Sequence, residues 1–311
     1  MPLSPRSPNA LIGGLPTPQT DVPICAVFIP IFLLGSLLNA TLFFRNLRRK
    51  HKFIPSWLLN VFCLIRIVTC STRIAWAKDP TNASLAVAAQ VFNNAGVIFL
   101  YIINLLFAQR ILRALQPGVG WNKGASVLVK GVFAGVVASL VMGITGLVIS
   151  VNTHNPDTLR SIRDIGLATS TYIVVVTILP FVFLGLAYGL PASPEAENFG
   201  TGSMRAKTRV LLVSCFLATV IAGFKAGTTW ERPRAATDPA WYDAKAAFYC
   251  FGFVLEVSIV ALLTAARVDR MFFVQNGCKG PGDYSRPVEE GSESEGTGEL
   301  AKEEGIALGK L

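Results

Sequence analysis

The stretch IPSWLLNVFCLIRIVTCSTRIAW, residues 54–76, decides whether the chain crosses a membrane six times or seven. It is long enough, because about 20 apolar residues in helix span the hydrocarbon core. It also carries two arginines, Arg66 and Arg73. A central Arg costs about 2.5–3.5 kcal/mol on insertion scales. Arg73 lies three residues from the end and can snorkel, so Arg66 alone bears the full penalty. Leu58, Leu59, Val61, Phe62, Leu64, Ile65, Ile67 and Val68 offset much of it. Dropping this span would send the 109–124 and 191–209 loops outward and leave the outward C-terminal tail beside three basic residues. The stretch therefore reads as a span.

Six further apolar runs, 22–44, 84–107, 126–151, 165–190, 210–230 and 246–266, have the same character. They are continuously apolar and do not alternate, which excludes barrel strands. Composition agrees: of 311 residues, 52% are hydrophobic and only 15% charged, against roughly 25% charged in soluble domains. Mean hydropathy is +0.51. The expected fold is all-α, a seven-helix transmembrane bundle with antiparallel neighbours, integral to the plasma membrane or an endomembrane. No internal repeat links the first three spans to the last three, so the usual sequence pointer to a transporter is missing.

The net charge of +9 is unevenly spread, with residues 271–311 at −4 and residues 1–270 at +13. The basic residues sit in short clusters between apolar runs, a pattern of membrane orientation and not of nucleic-acid binding. With the N-terminus outside, the inner segments hold fourteen Lys and Arg and the outer segments seven. The C-terminus is then cytoplasmic. Three regions are expected: a disordered outer segment over 1–21, the bundle over 22–270, and a disordered acidic tail over 271–311. The inner loops and tail could carry cytoplasmic protein partners. Asn82–Ala83–Ser84 fits a glycosylation acceptor on the outer face, Ser292 with Glu295 a phosphorylation site, and Cys278 a palmitoylation site; chance matches, acidic disorder and a plain free thiol explain them as well.

Several chemistries are absent. The two histidines, His51 and His154, fall in loops on opposite sides, which disfavours a haem pair, a zinc hydrolase and a Ser–His dyad. There is no Walker loop and no mid-membrane lysine in the seventh span for a retinal Schiff base. None of the six cysteines lies in an outer loop, so no external disulfide is expected. No cofactor is implied, and the chain is expected not to be an enzyme.

Polar residues at matching depth supply the candidate site. Arg66, Asn94 and Glu256 each lie ten residues from the outer end of a span, about 15 Å deep at 1.5 Å per residue. An unpaired charge there is expensive, so Arg66 and Glu256 should pair, with Asn94 hydrogen-bonded nearby. Lys225, higher in the sixth span, is the rival partner for Glu256. Gln90, Asn94, Tyr101 and Asn104 keep one phase along the third helix. Pro30 and Pro180 could kink the first and fifth helices and open a cavity between them. Two main readings of this set stand: a pair that fixes helix packing, or a ligand or ion site. Catalysis is the remaining, smallest option.

Several strings occur together and in order: Arg66–Ile67–Val68–Thr69–Cys70, Arg73–Ile74–Ala75–Trp76–Ala77, Pro80–Thr81–Asn82 and Ala88–Ala89–Gln90–Val91–Phe92. They continue with the run Ile102–Ile111, then Asp238–Pro239–Ala240–Trp241–Tyr242, Arg267–Val268–Asp269–Arg270 and Gly280–Pro281–Gly282–Asp283–Tyr284–Ser285. Over roughly residues 12–285 the chain resembles a fungal family of seven-helix membrane proteins of uncharacterised function. The resemblance implies the architecture and no activity. In architecture alone, the chain is also similar to the fungal lipid-translocating exporters. The functional expectation is a non-enzymatic protein that binds or senses a small amphipathic ligand, with a transporter or lipid translocator gated by Arg66 and Glu256 as the alternative.

Overall fold

A computed structural model describes residues 10–153, 155–232 and 234–285. Seven helices are long and apolar enough to cross a membrane. They are α1 Asp21–Arg48, α2 Ile54–Lys78, α3 Ala83–Leu115, α4 Lys123–Asn152, α5 Pro156–Gly189, α6 Met204–Trp230 and α7 Lys245–Ala265. Among the described residues there is no strand. The all-α, seven-helix expectation holds, with two large boundary changes, the first being that α3 runs eight residues past the expected 107, to Leu115. α5 begins nine residues before the expected 165, so Arg160 and Arg163 lie on a helix and not in a loop. Asn155 causes this early start by accepting the Asp157 N–H at 3.0 Å, and Pro156 occupies the first turn, where its missing N–H is harmless. Ser203, Asn122 and Asn82 cap α6, α4 and α3 in the same way.

α3 is the axis of the bundle. It packs against α2, α5 and α6, and its hydropathic core is the most buried of the seven. α4 is peripheral, held by α5 and the start of α3. Exposed Val127, Val137, Val141, Val175, Val213 and Phe216 lie on the outer surface, where lipid satisfies them as well as protein would. Polar clasps fix the register inside: Ser36 Oγ donates to Asn60 Oδ1 at 2.7 Å between α1 and α2. Asn39 Nδ2 donates to Thr264 Oγ1 at 2.9 Å between α1 and α7.

Two helices are irregular. α3 breaks at Gly96–Val97 into Ala83–Gly96 and Ile98–Leu115. α7 passes through a π-helical stretch, Phe248–Val254, just before Glu256. Such wide turns are rare and concentrate at functional sites. Pro30 and Pro180 lie inside α1 and α5, and the cavity expected between those helices forms elsewhere, among α2, α3, α6 and α7.

Both flanking segments depart from the expected disorder where they are described. Residues 1–9 and 286–311, with Ser292, lie outside the described residues, as does His154. Residues 10–20 pack onto the bundle, with Gly13 and Pro16 buried. Gly13 N–H donates to Asp243 O at 3.0 Å, and Ala10 N–H to Arg234 O at 2.8 Å. Gly13 has φ +78 and lies against the Phe248 ring, so a side chain there would collide with it. Low charge and high proline made this segment look loose, but backbone donors and acceptors hold it.

At the opposite face, residues 268–285 strap the helix ends. Phe272 stacks on Phe107 at 4.2 Å between ring centroids, and Arg110 donates to the Phe272 carbonyl. Glu197 accepts from the N–H groups of Gly282, Tyr284 and Ser285 at 2.6, 2.9 and 3.0 Å. Asp283 Oδ2 accepts from the N–H groups of Lys279 and Gly280 at 2.7 and 2.9 Å, which explains the Gly–Pro–Gly–Asp–Tyr–Ser turn. Asp269 anchors the start of the strap. Although burial opposes ionisation, hydrogen bonds from Arg267 and Asn46 hold its carboxyl below the ordinary aspartate range.

Candidate functional site

Arg66 and Glu256 form a fully buried ion pair between α2 and α7. Arg66 and Glu256, matched in depth along their spans, are thus in direct contact. The third member is different from the one expected. Asn93, not Asn94, completes the pair: Arg66 Nη1 donates to the Asn93 carbonyl at 3.1 Å and faces its Oδ1 at 3.4 Å. The reason lies in the break of α3. Asn93 belongs to the last turn before Gly96, where carbonyls run out of helical partners. Gly96 also permits the approach, since a Cβ there would lie 3.3 Å from Arg66 Cζ. Lys225 Nζ donates to the same Asn93 carbonyl at 3.2 Å. Two cations from α2 and α6 therefore share one orphan acceptor from α3.

Satisfaction of the pair is incomplete. Arg66 Nε and Glu256 Oε2 have no hydrogen-bond partner, and the Tyr101 hydroxyl and Asn104 Nδ2 are likewise buried and unpartnered. Asn104 Oδ1 accepts from Ser214 Oγ at 2.7 Å, joining α3 to α6. Phe62 and Phe253 flank the Arg66 guanidinium, each ring centroid 5.5 Å from Cζ.

Above the pair lies a cavity of about 410 Å³, within the usual range for small-molecule sites. Its floor comprises Thr69, Gln90, Asn93, Asn94 and Lys225, and its wall includes Trp76, Phe224, Phe248 and Phe251. The mouth, at the face carrying the N-terminal segment, includes Leu11, Arg163, Glu231, Arg232 and Arg234. Beneath it Phe62, Leu100, Tyr101, Ile221 and Phe253 are almost wholly excluded from solvent. Of the residues singled out from sequence, Gln90, Asn94 and Lys225 line the cavity. Arg66 and Glu256 sit behind its floor, and Tyr101 and Asn104 belong to the buried packing.

A second charged cluster was missed. Arg73 does not snorkel; it is 4% exposed, its Nη2 lies 2.8 Å from Asp21 Oδ1 and it donates to Gly13 O at 2.8 Å. Lys245 pairs with the other Asp21 oxygen, and Tyr249 OH donates to Oδ1 at 2.8 Å. The Arg73 guanidinium also lies 4.2 Å over the Phe248 ring. An aspartate at the very start of a span, facing an arginine near the end of the next, was the available signal.

The family described as "Domain of unknown function (DUF7702)" matches residues 20–230. The chain belongs to the DUF7702 family. No curated protein and no solved structure matches it. The DUF7702 match spans α1 to α6, and so includes Arg66, Arg73, Asn93 and Lys225 of the site; Glu256 and Lys245 come from α7 beyond it. Among the described residues no group of three or more His, Cys, Asp and Glu side chains could hold a metal, and Cys25, Cys63, Cys70, Cys215 and Cys250 are free thiols. Asn82 caps α3 through its Oδ1, which accepts the Leu85 N–H at 3.2 Å.

Proposed function

We propose that this integral membrane protein is a non-enzymatic binding or sensing protein for a small amphipathic ligand. One observation carries the reading. A cavity of drug-like size, aromatic along its wall and polar at its floor, descends from one face and stops above a buried, incompletely satisfied ion pair. An amphiphile matches that gradient. By the basic bias of the loops, the open face is extracellular or lumenal and the strapped face cytoplasmic, where partners could dock. A transporter or translocator gated by Arg66 and Glu256, as the exporter-like architecture suggests, would need the cavity to continue toward the other face. The buried residues beneath the floor favour binding instead.

Gly252 gives a clean test, because it lines the cavity and a Cβ there meets no atom within 4 Å. G252F should fill the space without displacing the helices. Small amphiphiles should raise the melting temperature of the purified wild type and leave G252F unmoved. Equal stabilisation of both proteins, or ligand flux through liposomes containing the wild type, would overturn the proposal.

A further inference from the structure

The charges around the cavity do not balance. Five cationic side chains line it, Arg73, Arg163, Lys225, Arg232 and Arg234, against two carboxylates, Glu231 and Asp243. Some of these are already engaged. Arg73 is paired with Asp21. Arg234 lies 3.6 Å from Asp238 at the exposed rim, and Asp243 Oδ2 accepts the Ala240 N–H at 3.0 Å. Arg163, Arg232 and Glu231 stand at the mouth without an ion pair among the described residues.

Lys225 is the decisive group because it stands at the floor. Its hydrogen bond runs to a neutral acceptor, the Asn93 carbonyl, and an ammonium has three donors. Glu256, the carboxylate in its neighbourhood, is in direct contact with Arg66. Lys225 at the floor and the Arg66–Glu256 pair behind it thus sum to two cations and one carboxylate, and a second negative charge is missing. Lys225 is half-buried there, and in a partly desolvated site such a surplus is costly unless a counter-charge arrives. The Gln90 and Asn94 amides, which also line the cavity, can donate to oxygen.

Building on the binding reading above, we infer that the ligand is a small amphiphile bearing one carboxylate, its head on Lys225 and its apolar body along Trp76, Phe224, Phe248 and Phe251. A single surplus cation matches a single negative charge. A phosphate dianion would leave net charge at the floor, and an ammonium head would add to the surplus. The arginines at the mouth would draw an anion inward.

The test uses the full chain in nanodiscs of neutral lipid and three probes with the same tail: octanoate, octanol and octylammonium. Binding is measured by calorimetry against empty nanodiscs. Octanoate should bind wild type about tenfold or more tightly than octanol, the size of a charged hydrogen bond, and octylammonium should not compete. K225M should abolish the advantage of octanoate over octanol, and K225R should retain it. Equal affinity for octanoate and octanol in wild type, or an octanoate preference that survives K225M, overturns the inference. Octanol binding that G252F removes, with no gain for octanoate, sinks the carboxylate claim and leaves the binding reading standing. Binding of none of the three probes sinks both.

Discussion

At the residue scale, the molecule manages buried charge twice, by different means. Asp21 gathers Arg73, Lys245, Tyr249 and the Thr17 N–H around one carboxylate. Glu256 has one direct partner, Arg66, and keeps an unpartnered oxygen. The first cluster is closed and structural, and the second adjoins a cavity. Removing one member of the Arg66–Glu256 pair leaves an orphan charge, so R66L and E256Q should each destabilise by about 3–5 kcal/mol. The double variant should lose much less than the sum, because no orphan remains. Denaturation of the four proteins in the same micelles measures this, and additive losses would show that the contact contributes no coupling. Sequence sufficed to find this pair because depth in a membrane is counted in residues. It failed for Asn93, because side-chain phase says nothing about a main-chain carbonyl freed by a helix break. Arg73 was misjudged for a related reason: nearness to a helix end permits snorkelling and also permits an ion pair with a neighbouring helix start.

At the element scale, the informative features are departures from regular helix. The break in α3 supplies an acceptor, and the π stretch of α7 precedes Glu256 and brings Phe248, Phe251 and Gly252 to the cavity wall. Hydrophobic periodicity reports that a helix exists and is blind to one wide turn inside it. The flanking straps were also invisible, for residues 275–285 are glycine-rich and polar and hold by backbone hydrogen bonds to Glu197. This makes Glu197 the clasp of the strap. E197A should speed amide exchange at Gly282, Tyr284 and Ser285 by about tenfold, the equivalent of a charge-assisted hydrogen bond, while exchange within α3 stays unchanged. Unaltered exchange at these three amides would mean that Phe272 and Tyr284 hold the strap by packing alone.

At the scale of the whole molecule, composition and seven apolar runs made the fold legible before any contact was known. Within that fold, the cavity above the Arg66–Glu256 pair opens on the face that carries the N-terminal segment and closes before the strapped face. Thr228, on the cavity lining, reports this directly once replaced by cysteine in a protein whose exposed Cys250, and whose Cys278 on the opposite face, are both changed to serine. Vesicles of both orientations are treated with a membrane-impermeant maleimide, with and without octanoate. T228C should be labelled only from the side of the N-terminus, and octanoate should slow the reaction. Labelling from the side of the C-terminus, or from both sides, would contradict the one-sided cavity.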